Sequence, residues 1–187
     1  MDPIRLVGES VILREFALTD VDAVHRIIGD HRVTTWLSFD SRNRAQAEAM
    51  IRGALDRAQS PDRVEYYFAV DVANELVGFV RLGLAGVRAA KLGYAIGAKY
   101  WGCGYATDAA RTAIRFGFGH LNLRRISAAI GPDNRASVAV VKHLGFTYEG
   151  RLRDHVFTNG AWRDSLLYSL IAPEWRETQA ASSGVEG

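Results

Sequence analysis

The segment that most limits how this chain can fold spans residues 99–116, KYWGCGYATDAARTAIRF. In it, two glycines one residue apart run straight into an alanine-rich helical pattern. Glycine tolerates a left-handed backbone, so Gly102 and Gly104 mark a sharp entry into a helix expected from about 106 to 121. Such a turn presents backbone N–H groups and the positive end of a helix to an anion. By itself, a Gly-x-Gly before a helix is more often a tight turn than a ligand site, so its neighbours must decide.

Before the loop lie three strands. YYFAVDV (66–72) and ELVGFVRLGLA (75–85) flank turn residues 71–74 and read as an antiparallel pair, and KLGYAIG (91–97) closes the meander. After the loop helix come a strand, RRISAAI (124–130), a turn at 131–134, and a short helix, ASVAVVKHLGF, that stops at Gly145. Upstream, SVILREF (10–16) is a strand. TDVDAVHRIIGD is a helix with Thr19 as N-cap and Val21, Val24, Ile27 and Ile28 at helical spacing. HRVTTWLSFDS reads as a loop anchored by Trp36 and Phe39, and NRAQAEAMIRGALDRAQ as a helix ending before Pro61. The last two extended runs meet at Asn159-Gly160, the pair that suits a type I′ hairpin. The order β-α-α-β-β-β-α-β-α-β-β predicts an α+β fold with a mixed sheet.

At 187 residues the chain suits one domain, expected over 1–176, with the small, polar residues 177–187 as a mobile tail. A formal charge of +2 is too small to argue for nucleic acid. The single cysteine, Cys103, excludes an internal disulfide and a multi-cysteine metal site, and the five histidines lack ligand spacing, so no catalytic metal is expected. The N-terminus has no secretory pattern, and no apolar run approaches the ~20 residues that span a bilayer. A cytoplasmic protein with no membrane partner is the expectation.

For the glycine loop itself, a Walker A reading fails on spacing and on the missing Lys-Ser/Thr pair. A dinucleotide fingerprint places Thr107 where Gly or Ala belongs, after a meander rather than a βαβ unit. A third pattern, Q/R-x-x-G-x-G/A, fits Lys99 to Gly104 with lysine in the first position; its amides bind the pyrophosphate of coenzyme A.

Taken with LGYAIGAKYWGCGYATDAA, PDNRASVAVVKHLGFTYEG and LRDHVFTNGAWRDSLLYSL, that pattern makes the chain resemble the GNAT superfamily of N-acetyltransferases. The resemblance is strongest to its RimJ/RimL-like branch, which acetylates ribosomal-protein N-termini. It implies a GNAT-type, mostly antiparallel central sheet flanked by helices. It also implies acetyl transfer from acetyl-CoA to a primary amine by direct attack, without a covalent enzyme intermediate. Cofactor contacts carried over residue by residue are Ile96 and Gly97 on the strand, then Lys99, Gly102, Cys103, Gly104, Tyr105, Ala106 and Thr107 in the loop. Asn134 and Ser137 would lie near the sulfur. Cys103, with no histidine nearby in sequence, is read as part of the loop rather than as a nucleophile. Trp36, Tyr94, His155 and Phe157, with Phe39 and Trp162, are the acceptor-side candidates. Monomers and homodimers are both compatible with the fold.

Two departures shape the expected chemistry. Many relatives carry a tyrosine acid where this chain reads Val140-Val141-Lys142-His143, so Ser137 is the expected proton donor to the thiolate. Lys91 and Val156 stand where relatives often have glutamate, leaving Asp154, His155, Tyr94 and Glu65 as candidates for a base or water relay. Strand alternation aims Asp154 and His155 at opposite faces. An α-amine with pKa of about 7.7–8.0 is roughly 10–20% neutral at pH 7, whereas a lysine side chain at about 10.4 is neutral in a few molecules per ten thousand. The missing base therefore points to a peptide N-terminus or a small amine as acceptor. It also raises an alternative, a catalytically weak acetyl-CoA-binding module.

Overall fold

The computed structural model describes residues 3–183. In chain order its elements are β1 (Arg5–Val7), β2 (Ile12–Arg14), α1 (Val21–Ile28), α2 (His31–Thr34), α3 (Arg44–Gln59), β3 (Glu65–Val72), β4 (Glu75–Leu84) and β5 (Ala89–Ile96). They continue with α4 (Tyr105–Gly119), β6 (Arg125–Ile130), α5 (Arg135–His143), β7 (Thr147–Thr158), β8 (Ala161–Ile171) and α6 (Ala172–Ser183). The strands form one eight-stranded sheet in the order β1-β2-β3-β4-β5-β6-β8-β7. Every neighbouring pair is antiparallel except β5 with β6.

Alternation along the central strands feeds two apolar layers. On one face Phe68, Val70, Val80, Leu82 and Leu92 pack with Ala109, Ala113 and Ile114 of α4. On the other, Ala69, Phe79 and Ala95 meet Val24, Ile28 and Ile51 of α1 and α3. Full burial of each large side chain contributes about 1.5–3 kcal/mol. Val77 and Val80 share a face although three residues apart, because Val77 is an extra residue in β4: Val70 pairs with Gly78 and Asp71 with Leu76.

The α+β, mostly antiparallel architecture matches the sequence reading, with additions at both ends. β1 is too short to show alternation and is held by its turn, where Gly8 N donates to Val11 O at 2.8 Å. The Asp108 carboxylate of α4 accepts the N–H groups of Glu9, Ser10 and Val11 at 3.0, 2.6 and 3.0 Å, tying the β1–β2 turn to that helix. A Cβ at Gly8 would lie 2.8 Å from Asp108 Oδ1, so glycine is required for this contact. Burial opposes ionisation of Asp108, but the backbone donors outweigh it and hold its pKa below the usual value.

Thr19 does not cap α1. It sits inside a 3-10 turn, Leu18–Asp20, whose Asp20 carboxylate accepts Ala17 N at 2.8 Å and the Arg14 guanidinium. Within the expected Trp36 loop, residues His31–Thr34 close a helical turn capped by Asp30, which accepts Arg32 N at 3.0 Å. The tail expected from residue 177 is helical as far as Ser183, where α6 ends; residues 184–187 lie outside the described residues. α6 is anchored by buried Trp175, stacked at a tilt against Phe118 with ring centroids 6.2 Å apart. Asn159 and Gly160 both have positive φ, 52° and 73°, as a type I′ hairpin demands. No helix among the described residues is long and apolar enough to cross a membrane.

Candidate active site

β5 and β6 pair only where Ala89–Lys91 lie beside Arg125–Ser127. Beyond that point β5 stays with β4 while β6 stays with β8, and the strands part. Two features hold the end of β5 against β4. Gly97 N donates to Val77 O at 2.9 Å, and Gly78 lacks a Cβ, which would lie 2.3 Å from Ala95 O. Backbone groups on a strand alternate between neighbours. With Gly97 turned to β4, those of Tyr94 and Ile96 turn to the gap, where Ile96 O accepts Trp101 Nε1 at 2.8 Å. The gap is a cleft of about 690 Å³ walled by β5, β6, the glycine loop, the start of α5 and residues 33–38.

At one end lies the glycine loop. Gly102 and Gly104 have φ of 77° and 79°, and Gly104 directly precedes α4. A Cβ at either would meet nothing within 4 Å, so the space in front of the loop is open. Asp108 N donates to Gly104 O at 3.1 Å as the first helical bond, and the N–H groups of Tyr105, Ala106 and Thr107 therefore lack helical acceptors. The loop is thus a cradle of donors at a helix N-terminus, a fit for a pyrophosphate.

α5 forms the opposite wall. Asn134 caps it, its Oδ1 accepting Ser137 N at 3.1 Å. Ser137 Oγ, freed from capping, has no hydrogen-bond partner among the described residues. Tyr94 Oη donates to Ser137 O at 3.3 Å, and burial pushes the phenol up to about 12, so it stays protonated at any working pH.

The cleft gathers Trp36, Tyr94, Ile96, Gly102, Gly104, Tyr105, Ala106, Thr107, Asn134 and Ser137 from the residues singled out in the sequence. Seven others lie off its walls, Phe39 and Trp162 among them. Lys99 Nζ pairs with Glu75 Oε1 at 2.8 Å, Gly97 is buried beneath Tyr100, and Cys103 is exposed with Sγ 3.8 Å from Trp101 O. His155 is exposed and shares a 2.9 Å hydrogen bond between Nδ1 and Ser165 Oγ. Phe157 stands 58% exposed on the hairpin, edge-on to Trp162.

Three base candidates also lie off the cleft walls. β7 bulges so that 153–155 face only Asp164 of β8, and Asp154 takes a φ of 46°. Both Asp154 and His155 then line one surface cavity with Arg151 and Asp164, rather than opposite faces. Glu65 is off the cleft walls, ion-paired with Arg57 and Arg81. Asp133, exposed on the turn before α5, is the one carboxylate lining the cleft among the described residues.

Sequence reasoning missed Ala128, Ala129 and Ile130, which form the β6 wall, and Asp133 and Arg135 at its mouth. The signal available was the parallel step from β5 through α4 to β6, which opens a crevice at the carboxyl ends of the strands.

Residues 10–147 match the acetyltransferase (GNAT) domain family. The chain is 32% identical over 130 residues to the [ribosomal protein uS5]-alanine N-acetyltransferase of Escherichia coli K12, covering 70% of this chain and 61% of that one. It is 33% identical over 170 residues to the spermidine N(1)-acetyltransferase of the same organism, covering 90% of this chain and 89% of the relative. Among solved structures, Mycobacterium smegmatis RimJ in complex with CoA-disulfide matches with a TM-score of 0.80 at 27% identity, over 97% of this chain and 93% of that chain.

Proposed function

This chain belongs to the GNAT family of acetyl-CoA-dependent N-acetyltransferases, and from that premise we propose that its acceptor is an amine of low pKa, above all the α-amine of a peptide or protein N-terminus. Two relatives of nearly equal identity are named for a protein α-amine and for a polyamine, so relatedness alone does not choose. The observation that carries the choice is the make-up of the cleft. Its one carboxylate among the described residues is Asp133, while Glu65 and His155 are engaged elsewhere. A polyamine bears several charges at neutral pH and calls for a carboxylate-lined site. An α-amine is already neutral in roughly one molecule in ten and can react without an enzymic base.

Bound acetyl-CoA supplies the acetyl group as a thioester. The amides of Gly104 to Thr107 hold its pyrophosphate, helped by the α4 dipole. The open edge of β5 pairs with the pantetheine arm as an added strand would, and Ile96 N–H polarises the thioester carbonyl. Trp36 covers the acceptor side. The amine nitrogen forms its bond to the acetyl carbon as the carbon–sulfur bond breaks. The amine's proton passes to water, and a proton returns from water through the Ser137 hydroxyl to the departing thiolate, leaving the serine neutral. Tyr94, through its bond to Ser137 O, holds the backbone of that serine in place.

A thiol-release assay tests the acceptor directly, using one peptide with a free N-terminus and no lysine, and a matched peptide with a blocked N-terminus and one internal lysine. Faster turnover of the first is expected. Preference for the lysine peptide contradicts the assignment, and acetyl-CoA binding without release on any amine supports the binding-module alternative.

A further inference from the structure

Beside the acceptor end of the cleft lies a second cavity, of about 590 Å³, which no step of acetyl transfer uses. Ser38 lines both spaces, so the two cavities adjoin at that residue. Its charged walls come from separate elements: Arg42 from the loop before α3, Arg57 from α3, Glu65 from β3 and Arg81 from β4. Glu65 is ion-paired with both Arg57 and Arg81. Arg42 lies over the Phe39 ring at 4.0 Å and has no anionic partner among the described residues. Three guanidinium groups thus line the cavity with one carboxylate, leaving it two positive charges in excess.

Arginine presents a rigid fork of donors that matches a carboxylate, and aromatic stacking of the kind Arg42 makes with Phe39 leaves its edge donors available. We propose that this cavity is a specificity site for a carboxylate carried by the acceptor, an acidic side chain within the first few residues of the peptide whose α-amine is acetylated. It rests on the α-amine reading of the cleft. The loop carrying Arg42 is fixed in advance. Arg163 of β8 donates through Nη1 to Thr35 O at 2.6 Å and through Nη2 to Leu37 O, and Arg42 N donates to Ile28 O at 2.8 Å. The guanidinium is therefore held ready before the acceptor arrives.

The test compares two peptides that differ only in Asp against Asn at positions 2 and 3, on the native protein and on Arg42→Gln. A roughly ten-fold higher kcat/KM for the acidic peptide is expected, expressed in KM, as one charge-assisted hydrogen bond supplies. In Arg42→Gln the preference disappears while the Asn peptide turns over as before. Equal kcat/KM for the two peptides, or a preference that survives Arg42→Gln, overturns the proposal while leaving the α-amine reading intact. The pre-acetylated acidic peptide, which cannot react, reads the cavity without any chemistry. Its binding should weaken by a similar factor in Arg42→Gln, and failure to bind the native protein overturns the proposal even if no α-amine is a substrate. A small amino acid is assayed alongside. Should it be acetylated with the same Arg42 dependence, the carboxylate chemistry stands and its source is a small acid rather than a peptide.

Discussion

The two ends of the cleft are built by different means. At the α4 end the groups that face the ligand are backbone N–H donors, positioned by two left-handed glycines and a helix start. At the end closed by residues 33–38, proposed above for the acceptor, the wall is made of side chains, Trp36 and Ser38 beside Arg42, Arg57 and Arg81, brought together from a loop, a helix and a strand. A backbone site needs particular residues only where conformation demands them. A side-chain site can be rewritten one residue at a time while the fold stays the same. That contrast explains how relatives at 32% and 33% identity carry names for such different acceptors.

The sharpest way to break the comparison is Gly104→Val. A side chain there is forced into a φ of 79° and projects into the open space before the loop. Strain of about 1–3 kcal/mol and obstruction of the phosphate should weaken acetyl-CoA binding by roughly 10- to 100-fold. Calorimetry would register this, with the KM for the acceptor little changed. A matching loss on the acceptor side would show that the two ends are not independent.

A smaller effect is expected from Ser137→Ala. Asn134, not Ser137, supplies the cap of α5, so the helix and the melting temperature should be unaffected. Turnover should fall about ten-fold with the acetyl-CoA dissociation constant unchanged, as when an interaction made only in the transition state is lost. Unchanged turnover would assign the proton to another donor.

How much of this was legible in the sequence follows the same division. Gly102, Gly104, Gly145 and Asn159-Gly160 signal backbone conformations that few other residues adopt, and each lies where the structure uses it. The turn residues and extended runs of β3 to β5 marked the meander, and each run lies where the structure has a strand. The pairing of Lys99 with Glu75 was not legible, because the partner comes from a neighbouring strand twenty-four positions away. Asp154 and His155 share one cavity rather than opposite faces because a bulge breaks the alternation that the reading assumed. Arg42, Arg57 and Arg81 have no shared spacing, so nothing in one dimension marks them as neighbours. α6 shows little amphipathic pattern, and its position depends on Trp175 finding Phe118.

The central claim is that the acceptor arrives as a neutral amine and that no side chain of the cleft takes its proton. The pH dependence of kcat/KM, measured with two peptides whose α-amine pKa values differ by about one unit, tests it most directly. Below its pKa the neutral fraction of an amine falls ten-fold per pH unit. Each profile should therefore climb with unit slope and level off at that peptide's own pKa, the two inflections standing about one unit apart. Tyr94, pushed up to about 12, imposes no decline across this range. A single inflection near pH 6 to 7, the same for both peptides, would reveal an enzyme-borne base and contradict the account.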